Sequence, residues 1–181
     1  IAEPHAVTFA GGLAANGMIP VFAVYSSFLQ RCYDEIIHDL SIEKQHVIIG
    51  IDRAGIVGND GETHQGLFDV AMLSSVPGIT VYSPATYEEL RKTLYESIYH
   101  QTGVCCVRYP RGGEGKLPAG FAPDEAWSVC SISPKSPRKK LGLVTYGKET
   151  VQVCKAAEQL KEQGVAVSVL KLLRLLPFPE D

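Results

Sequence analysis

The chain has 181 residues, of which 45% are hydrophobic and 20% are charged, with a formal net charge of −3 at pH 7. This length and composition are typical of one globular domain plus part of another. The weak negative charge argues against a broad basic surface for nucleic acid. The sequence has no apolar run of about 18 residues, so we expect no membrane span. The five cysteines lack C-x-x-C spacing, which disfavours zinc and favours reduced thiols in a cytoplasmic protein.

The first part of the chain alternates between predicted helices and apolar strands. We expect helices at 5–16, 27–43, 65–75 and 86–100, and strands at 19–24, 46–51, 79–82 and 104–108. Ser26 or Ser27 is suited to cap the second helix, and Thr86-x-x-Glu89 is a capping box for the fourth. This order predicts an α/β fold, in which a parallel sheet carries helices on both faces.

The amino-acid composition changes after residue 113. Prolines and serines in 114–140 indicate a linker with a short strand at 127–132, and the basic run 135–140 is typical of a solvated face. A strand at 141–146, a helix at 150–163 ending before Gly164, and a strand at 165–170 predict one β-α-β unit. Because one such unit is too small to close a core, we expect the truncated start of a second α/β domain. We also expect the chain, which begins without methionine, to be an excised piece of a longer protein.

The segment 52–66 is the strongest functional signal. It reads D-R-A-G-I-V-G-N-D-G-E-T-H-Q-G, so it combines four glycines with several ionisable side chains between a strand and a helix. Long connections of this kind are usually functional. Tyr25, Arg53 and the Tyr109-Pro110-Arg111 segment also follow predicted strand ends. Because ligands of parallel sheets bind beyond the carboxyl ends of the strands, we expect these residues to converge.

Four motifs occur in one order: Glu3-x-His5-Ala-Val-Thr, Tyr25-Ser-Ser-Phe-Leu-Gln-Arg, Asp52-Arg-Ala-Gly with Asp60-Gly-x-Thr-His-Gln-Gly, and Arg108-Tyr-Pro-Arg-Gly. Together they resemble the pyrimidine-binding domain of the transketolase-like thiamine diphosphate enzymes. Within that group they most resemble the 1-deoxy-D-xylulose-5-phosphate synthases. The resemblance is strong over residues 1–115 and loose beyond them. It implies a pyrimidine-binding domain at 1–115, a linker at 116–140 and an incomplete transketolase C-terminal domain at 141–181.

The resemblance also implies roles for eight residues. Glu3 would hydrogen-bond the aminopyrimidine of the cofactor and favour its reactive tautomer, and Phe28 would stack on that ring. Four residues would line the cofactor or substrate site: Tyr25, Arg31, Asp60 and His64. Two arginines, Arg53 and Arg111, would bind the acceptor phosphate. His64 would share the catalytic role with Glu3, and Tyr25 would contact both cofactor and substrate.

Plainer explanations compete for several of these residues. Glu3 could be a first-turn carboxylate favoured by the helix dipole, and Phe28 could be a core residue. Arg31 could be a surface charge, and Asp60 or Thr63 could cap a turn. His5 could support Glu3 or simply pack. Pro4 stands where the family usually has glutamine, which removes the contacts of that amide.

The implied activity is the condensation of pyruvate with D-glyceraldehyde 3-phosphate, in a homodimer that needs thiamine diphosphate and Mg²⁺. The G-D-G…N motif that holds the magnesium and the diphosphate is missing from this sequence, and we expect it on an N-terminal domain. We therefore expect the isolated chain to be inactive and to bind the cofactor weakly, with segment 52–66 disordered. The alternatives are a transketolase, the beta subunit of a 2-oxo acid dehydrogenase, or a non-catalytic interaction module of the same fold.

Overall fold

The computed structural model describes residues 2–179, in which the larger sheet has five strands. They are β1 (Val21–Tyr25), β2 (Val47–Asp52), β3 (Thr80–Tyr82), β4 (Val104–Arg108) and β8 (Arg174–Leu176), in the spatial order β1-β2-β4-β3-β8. The first four strands are parallel, and β8 is antiparallel to β3 at one edge. The predicted parallel sheet is therefore confirmed, with one antiparallel edge strand that the sequence analysis did not anticipate.

Helices cover both faces of this sheet. They are α1 (Glu3–Ala15), α2 (Ser26–Leu29), α3 (Tyr33–Glu35), α4 (Asp69–Leu73), α5 (Tyr87–Tyr99) and, in the second unit, α6 (Glu149–Glu162). Val81 and Cys106 belong to the main core, which includes side chains of α1 and α2. Their strand neighbours Tyr82 and Val107 pack on the other face with residues of α5. The alternation follows from the two-residue repeat of a strand, and it confirms the two covered faces.

The helix predicted at 27–43 is the main local error. The segment consists of α2, a 3₁₀ turn at Gln30–Cys32, α3 and a π-helical stretch at Ile36–Ser41. Its buried positions still follow a helical face, which is why the pattern suggested one helix: Leu29, Cys32, Ile36 and Leu40. The predicted serine cap is also wrong, because Tyr25 is the N-cap and makes no side-chain capping bond.

The second unit is a three-stranded sheet with one helix. Its strands are β5 (Trp127–Ile132), β6 (Lys139–Tyr146) and β7 (Val165–Leu172), in the order β5-β7-β6. The predicted β-α-β unit is present, since β6 and β7 are parallel and α6 connects them. Gly164 follows α6 with a φ of +82°, the left-handed conformation that ends many helices.

Two features join this unit to the larger sheet. β8 follows β7 almost directly and pairs with β3, and the amide of Ser83 donates to Leu173 O over 2.8 Å. Lys171 of β7 forms a buried ion pair with Glu89 of α5. Glu89 also accepts from the amide of Ala85 over 2.7 Å, while its own amide donates to Thr86 Oγ1, as the capping box predicted. Among residues 2–179, no helix has both the length and the apolar character of a membrane span.

Candidate active site

Glu3 begins α1 and is only 2% exposed, although it is a carboxylate. Arg31 Nη1 donates to Glu3 Oε1 over 3.1 Å. The second oxygen, Oε2, is buried and has no hydrogen-bond partner within residues 2–179. An unpartnered buried carboxylate oxygen is costly, so a donor from outside the described chain would satisfy it.

Cys32 follows Arg31 and is fully buried. Burial, together with the negative charges of Glu35 and Glu3, raises the pKa of the Cys32 thiol to about 12. The thiol is therefore neutral at physiological pH and unsuited to act as a nucleophile. The acid of this region is Glu3, and the cysteine beside it is a packing residue.

Three rings meet beside this acid. Tyr25 and Phe28 are stacked with their centroids 5.4 Å apart, and His64 lies edge-on to Phe28 at 5.3 Å. The guanidinium carbon of Arg31 lies 5.0 Å from the Phe28 centroid, so Arg31 links this aromatic cluster to Glu3. Thr63 Oγ1 and His64 Nδ1 are hydrogen-bonded at 2.8 Å. Thr63 thus orients the histidine instead of capping a turn.

A charged cluster follows at the ends of β2 and β4. Arg53 donates from Nη1 to Asp52 Oδ2 over 2.6 Å and from Nε to Asp60 Oδ2 over 3.2 Å. Arg111 Nη1 donates to the other oxygen of Asp60. Asp60 therefore bridges the two predicted phosphate-binding arginines, and the capping role considered for it is wrong. Arg53 also lies over the Tyr25 ring at 4.3 Å, which joins this cluster to the aromatic one.

Backbone geometry fixes Arg53 in place. Its φ of +55° is unusual for a residue with a side chain, and the Asp52 carboxylate accepts from its amide over 2.6 Å. Gly55 and Gly66 exchange two backbone hydrogen bonds of 2.8 Å, which close the loop behind Arg53. A Cβ at Gly66 would lie 2.2 Å from Arg53 O, so only glycine allows this approach. These contacts favour an ordered loop, so the disorder expected for 52–66 without further domains stays a prediction that Gly66→Ala also tests.

A buried ion pair between Arg108 and Asp69 lies next to the site. Arg108 donates to both carboxylate oxygens of Asp69, over 2.8 and 3.0 Å, and to Ser83 Oγ over 3.1 Å. The pair links β4 to α4, next to Gly66, whose carbonyl accepts from Arg108 Nη2 over 3.5 Å. Because Arg108 is buried and its donors bind these groups, it stabilises the packing of β4 against α4. Arg53 and Arg111 instead lie at the surface of the site.

All eight predicted site residues lie on one continuous series of contacts. It runs from Glu3 through Arg31, Phe28, His64 and Tyr25 to Arg53, Asp60 and Arg111. The parallel register explains the convergence, since Tyr25 and Asp52 are paired residues at the ends of β1 and β2. The expected meeting of the strand ends is confirmed, while the chemical role of each residue stays a prediction.

Three further residues that lie at this site were not among the predicted site residues. Asp52 holds Arg53, and its position before Arg53 in the motif was a usable signal. Gln65 spans the loop by accepting from Val57 N over 2.8 Å and donating to Gly61 O over 2.7 Å. Lys148, from the second unit, donates to Arg111 O over 3.3 Å, and nothing in the local sequence pointed to it.

Burial, and then the charge of Asp52, raises the pKa of Tyr109 in the same region.

Comparison with known proteins agrees with this geometry. The family described as "Transketolase, pyrimidine binding domain" matches residues 1–114, which is well over half of the chain. The chain belongs to this family. A transketolase pyrimidine-binding domain thus comprises the larger sheet apart from β8, together with all eight predicted site residues.

The relatives that match nearly the whole chain include synthases. The 1-deoxy-D-xylulose-5-phosphate synthase of Clostridium kluyveri (strain NBRC 12016) is 43% identical over 178 residues, which cover 98% of this chain. The chain spans 28% of the length of that relative. The similarity therefore continues beyond the pyrimidine-binding domain into the second unit, although most of the relative has no counterpart here.

Solved structures support the same fold. A structure described as a split-gene transketolase, inactive beta4 tetramer, is 26% identical with a TM-score of 0.78, covering 98% of this chain and 56% of that one. The transketolase of Campylobacter jejuni, 18% identical, has a TM-score of 0.80 and shares the fold over 97% of this chain and 28% of its own. Within residues 2–179, no cluster of three or more histidine, cysteine, aspartate or glutamate side chains could hold a metal ion.

Proposed function

We propose that this chain is the central part of a thiamine diphosphate-dependent 1-deoxy-D-xylulose-5-phosphate synthase. The full enzyme would condense pyruvate with D-glyceraldehyde 3-phosphate, giving 1-deoxy-D-xylulose 5-phosphate and CO2. One observation carries the proposal: a single series of contacts joins a buried acid, Glu3, to a two-arginine cluster, Arg53 and Arg111. The first end of this series, at Glu3, suits a cofactor, and the second end, at the two arginines, suits a sugar phosphate. Synthase relatives at 42–44% identity over nearly the whole chain support this choice of substrates.

The residues at the first end fit the aminopyrimidine of thiamine diphosphate. Glu3 Oε2 is a buried acceptor without a partner in the described chain, and a ring N–H would satisfy it. Phe28 offers an aromatic surface, and Arg31 holds the other carboxylate oxygen. When bound, the cofactor would supply the carbon nucleophile for a keto substrate, while Glu3, Phe28 and Arg31 would hold its aminopyrimidine. We propose that its diphosphate and Mg²⁺ are held by a domain outside this chain.

The residues at the second end fit a phosphorylated aldehyde. Two guanidinium groups that share one carboxylate can both turn to a phosphate, which accepts forked hydrogen bonds. Asp60 would then release Arg111, and its carboxylate would be free to hydrogen-bond a substrate hydroxyl. His64, which belongs to the aromatic cluster and contacts Tyr25 and Phe28, would exchange protons with the substrate oxygens. Tyr25 would line the passage between the two ends.

A transketolase is the second candidate, because solved transketolases share the fold over nearly the whole chain. The two activities differ in their donor substrate. We would assay the full-length protein with D-glyceraldehyde 3-phosphate and either pyruvate or a ketose phosphate, with thiamine diphosphate and Mg²⁺ present. Release of CO2 and formation of the deoxy sugar from pyruvate is the expected result. Turnover of the ketose phosphate alone would assign the protein to the transketolases.

Glu3→Gln in the full-length protein tests the cofactor end. The amide keeps the size of the side chain but cannot accept at both positions, so we expect a loss of turnover of at least about 100-fold. Glu43→Gln is the matched control, because it makes the same chemical change at an exposed glutamate outside the contact series. Full activity of the Glu3→Gln enzyme would contradict the assignment of the acid.

We further propose that the 181-residue chain alone is inactive and that the full enzyme is a homodimer. A related protein, the split-gene transketolase, is described as inactive in its beta4 tetramer. We propose that 1–115, 116–140 and 141–181 act as the pyrimidine-binding domain, linker and partial C-terminal domain. Calorimetric titration of the chain with thiamine diphosphate and Mg²⁺ should show weak binding. A Kd below about 1 μM, near −8 kcal/mol, would overturn the proposal of an incomplete cofactor site.

A further inference from the structure

The second unit of the chain reaches the proposed phosphate end of the site through one side chain. Lys148 precedes α6, and its Nζ donates to the carbonyl oxygen of Arg111 over 3.3 Å. It lines two clefts, of about 350 and 230 Å³. Tyr109 and Pro110, which precede Arg111, line the same two clefts.

Arg111 needs such a tether. It is exposed and lies just before two exposed glycines, Gly112 and Gly113, in a segment without helix or strand. Its guanidinium contacts Asp60, a contact that a phosphate would replace. The hydrogen bond from Lys148 to the carbonyl does not involve the Arg111 side chain. It can therefore hold the backbone in place while the guanidinium changes partner.

Lys148 is itself well placed to act as a fixed point. Gly147, which precedes it, has a φ of +59° and approaches Ser83 so closely that a Cβ would lie 2.6 Å from Ser83 Oγ. The buried Lys171–Glu89 pair and the β3–β8 pairing fasten the same unit to the sheet. Other charges line these clefts, but the Glu114 carboxylate accepts from the amide of Tyr87 over 2.6 Å and so is directed to the start of α5.

We propose that Lys148 is a positioning residue for the acceptor phosphate, acting through the backbone of Arg111. The proposal rests on the proposed synthase function, in which Arg111 binds that phosphate. It assigns the second unit a part in substrate specificity, since the tether comes from β6 and α6 and not from the pyrimidine-binding domain. The expected signature is a weaker preference for a phosphorylated acceptor, with no effect on the donor.

The test uses the full-length protein and the variants Lys148→Met and Lys148→Arg. Methionine keeps the aliphatic stem but cannot donate, so we expect the KM for D-glyceraldehyde 3-phosphate to rise about tenfold, the equivalent of about 1.4 kcal/mol. The KM for pyruvate and the rate with unphosphorylated D-glyceraldehyde should not change. Arginine keeps a donor and should restore most of the affinity. Lys155→Met, the same change at an exposed position of α6, is the matched control.

The outcomes separate this proposal from the proposed function. If the unsubstituted protein does not convert pyruvate and D-glyceraldehyde 3-phosphate, the synthase assignment fails. If it does, and Lys148→Met leaves the KM of the phosphorylated acceptor unchanged, the positioning role is overturned. An equal loss with both acceptors, or a loss that arginine does not restore, would show a structural role only and would also overturn it. Thermal unfolding of each variant identifies any that fails to fold; if the methionine variant does, Lys148→Leu, which also cannot donate, replaces it.

Discussion

Gly66→Ala tests whether the loop is held as tightly as the structure indicates. The new methyl group would lie 2.2 Å from Arg53 O, 2.8 Å from Ala54 Cα and 2.9 Å from Ser26 Cβ. Two of these neighbours are backbone atoms, so no side-chain rotation relieves the clash. The backbone has to move by about 1.2 Å to bring the closest atom to an ordinary contact of 3.4 Å.

The size of the effect follows from these contacts. Overpacking of a tight site costs about 1–3 kcal/mol, and losing the two Gly55–Gly66 hydrogen bonds adds about 1 kcal/mol each. We expect the free energy of unfolding of the chain to fall by about 3–5 kcal/mol, measured by urea denaturation. In the full-length protein the displaced Arg53 should lower kcat/KM for the phosphorylated acceptor by about 100-fold.

Gly12→Ala is the matched control for this substitution. Gly12 lies in α1, and a Cβ there would meet nothing within 4 Å. Alanine is favoured over glycine inside a helix, so this change should stabilise the chain by about 0.5–1 kcal/mol. The same chemical change should therefore have opposite signs at the two positions. A loss below about 1 kcal/mol for Gly66→Ala would refute the close approach of the two backbone segments.

Two further predictions concern stability. Burial raises the pKa of Cys32 to about 12 and those of Cys105 and Cys154 to about 11, from an ordinary 9.0, so the folded state retains protons that the unfolded chain releases. The contribution of these thiols to stability is complete below pH 9 and should be lost as the pH rises from 9 towards 12, so the fall in urea midpoints over this range should be shallower in Cys32→Ala than in the unsubstituted protein. Lys171→Met leaves the buried carboxylate of Glu89 without its cation and should cost about 3–5 kcal/mol in the free energy of unfolding. The double variant with Glu89→Gln should recover part of that loss.

Each of these has a clear contrary result. An equal change of the urea midpoint with pH from 9 to 12 in the unsubstituted and Cys32→Ala proteins would show that the Cys32 thiol titrates as in the unfolded chain. A cost below about 1 kcal/mol for Lys171→Met would show that water reaches the pair. In that case the second unit would be held mainly by the pairing of β8 with β3.

Local sequence patterns were sufficient for the order of helices and strands, because side-chain periodicity and capping act over a few residues. The strands at 104–108 and 127–132 have the predicted bounds, and Gly164 ends α6 as expected. The same patterns failed at 27–43. There the buried positions fit one helix, but the backbone changes to 3₁₀ and π turns, a choice that tertiary packing makes.

The amino-acid sequence by itself determined the fold class and the eight candidate residues, because each motif sits at a strand end or in a loop that the motif itself defines. Only the tertiary structure decided how these residues meet. Asp60 bridges Arg53 and Arg111 because β2 and β4 are neighbours in the sheet although they are far apart in the chain. The same holds for Lys148, which reaches Arg111 across 37 positions, and for β8, which leaves its own unit to pair with β3. Long-range contacts of this kind depend on how the elements pack, and no short stretch of sequence encodes them.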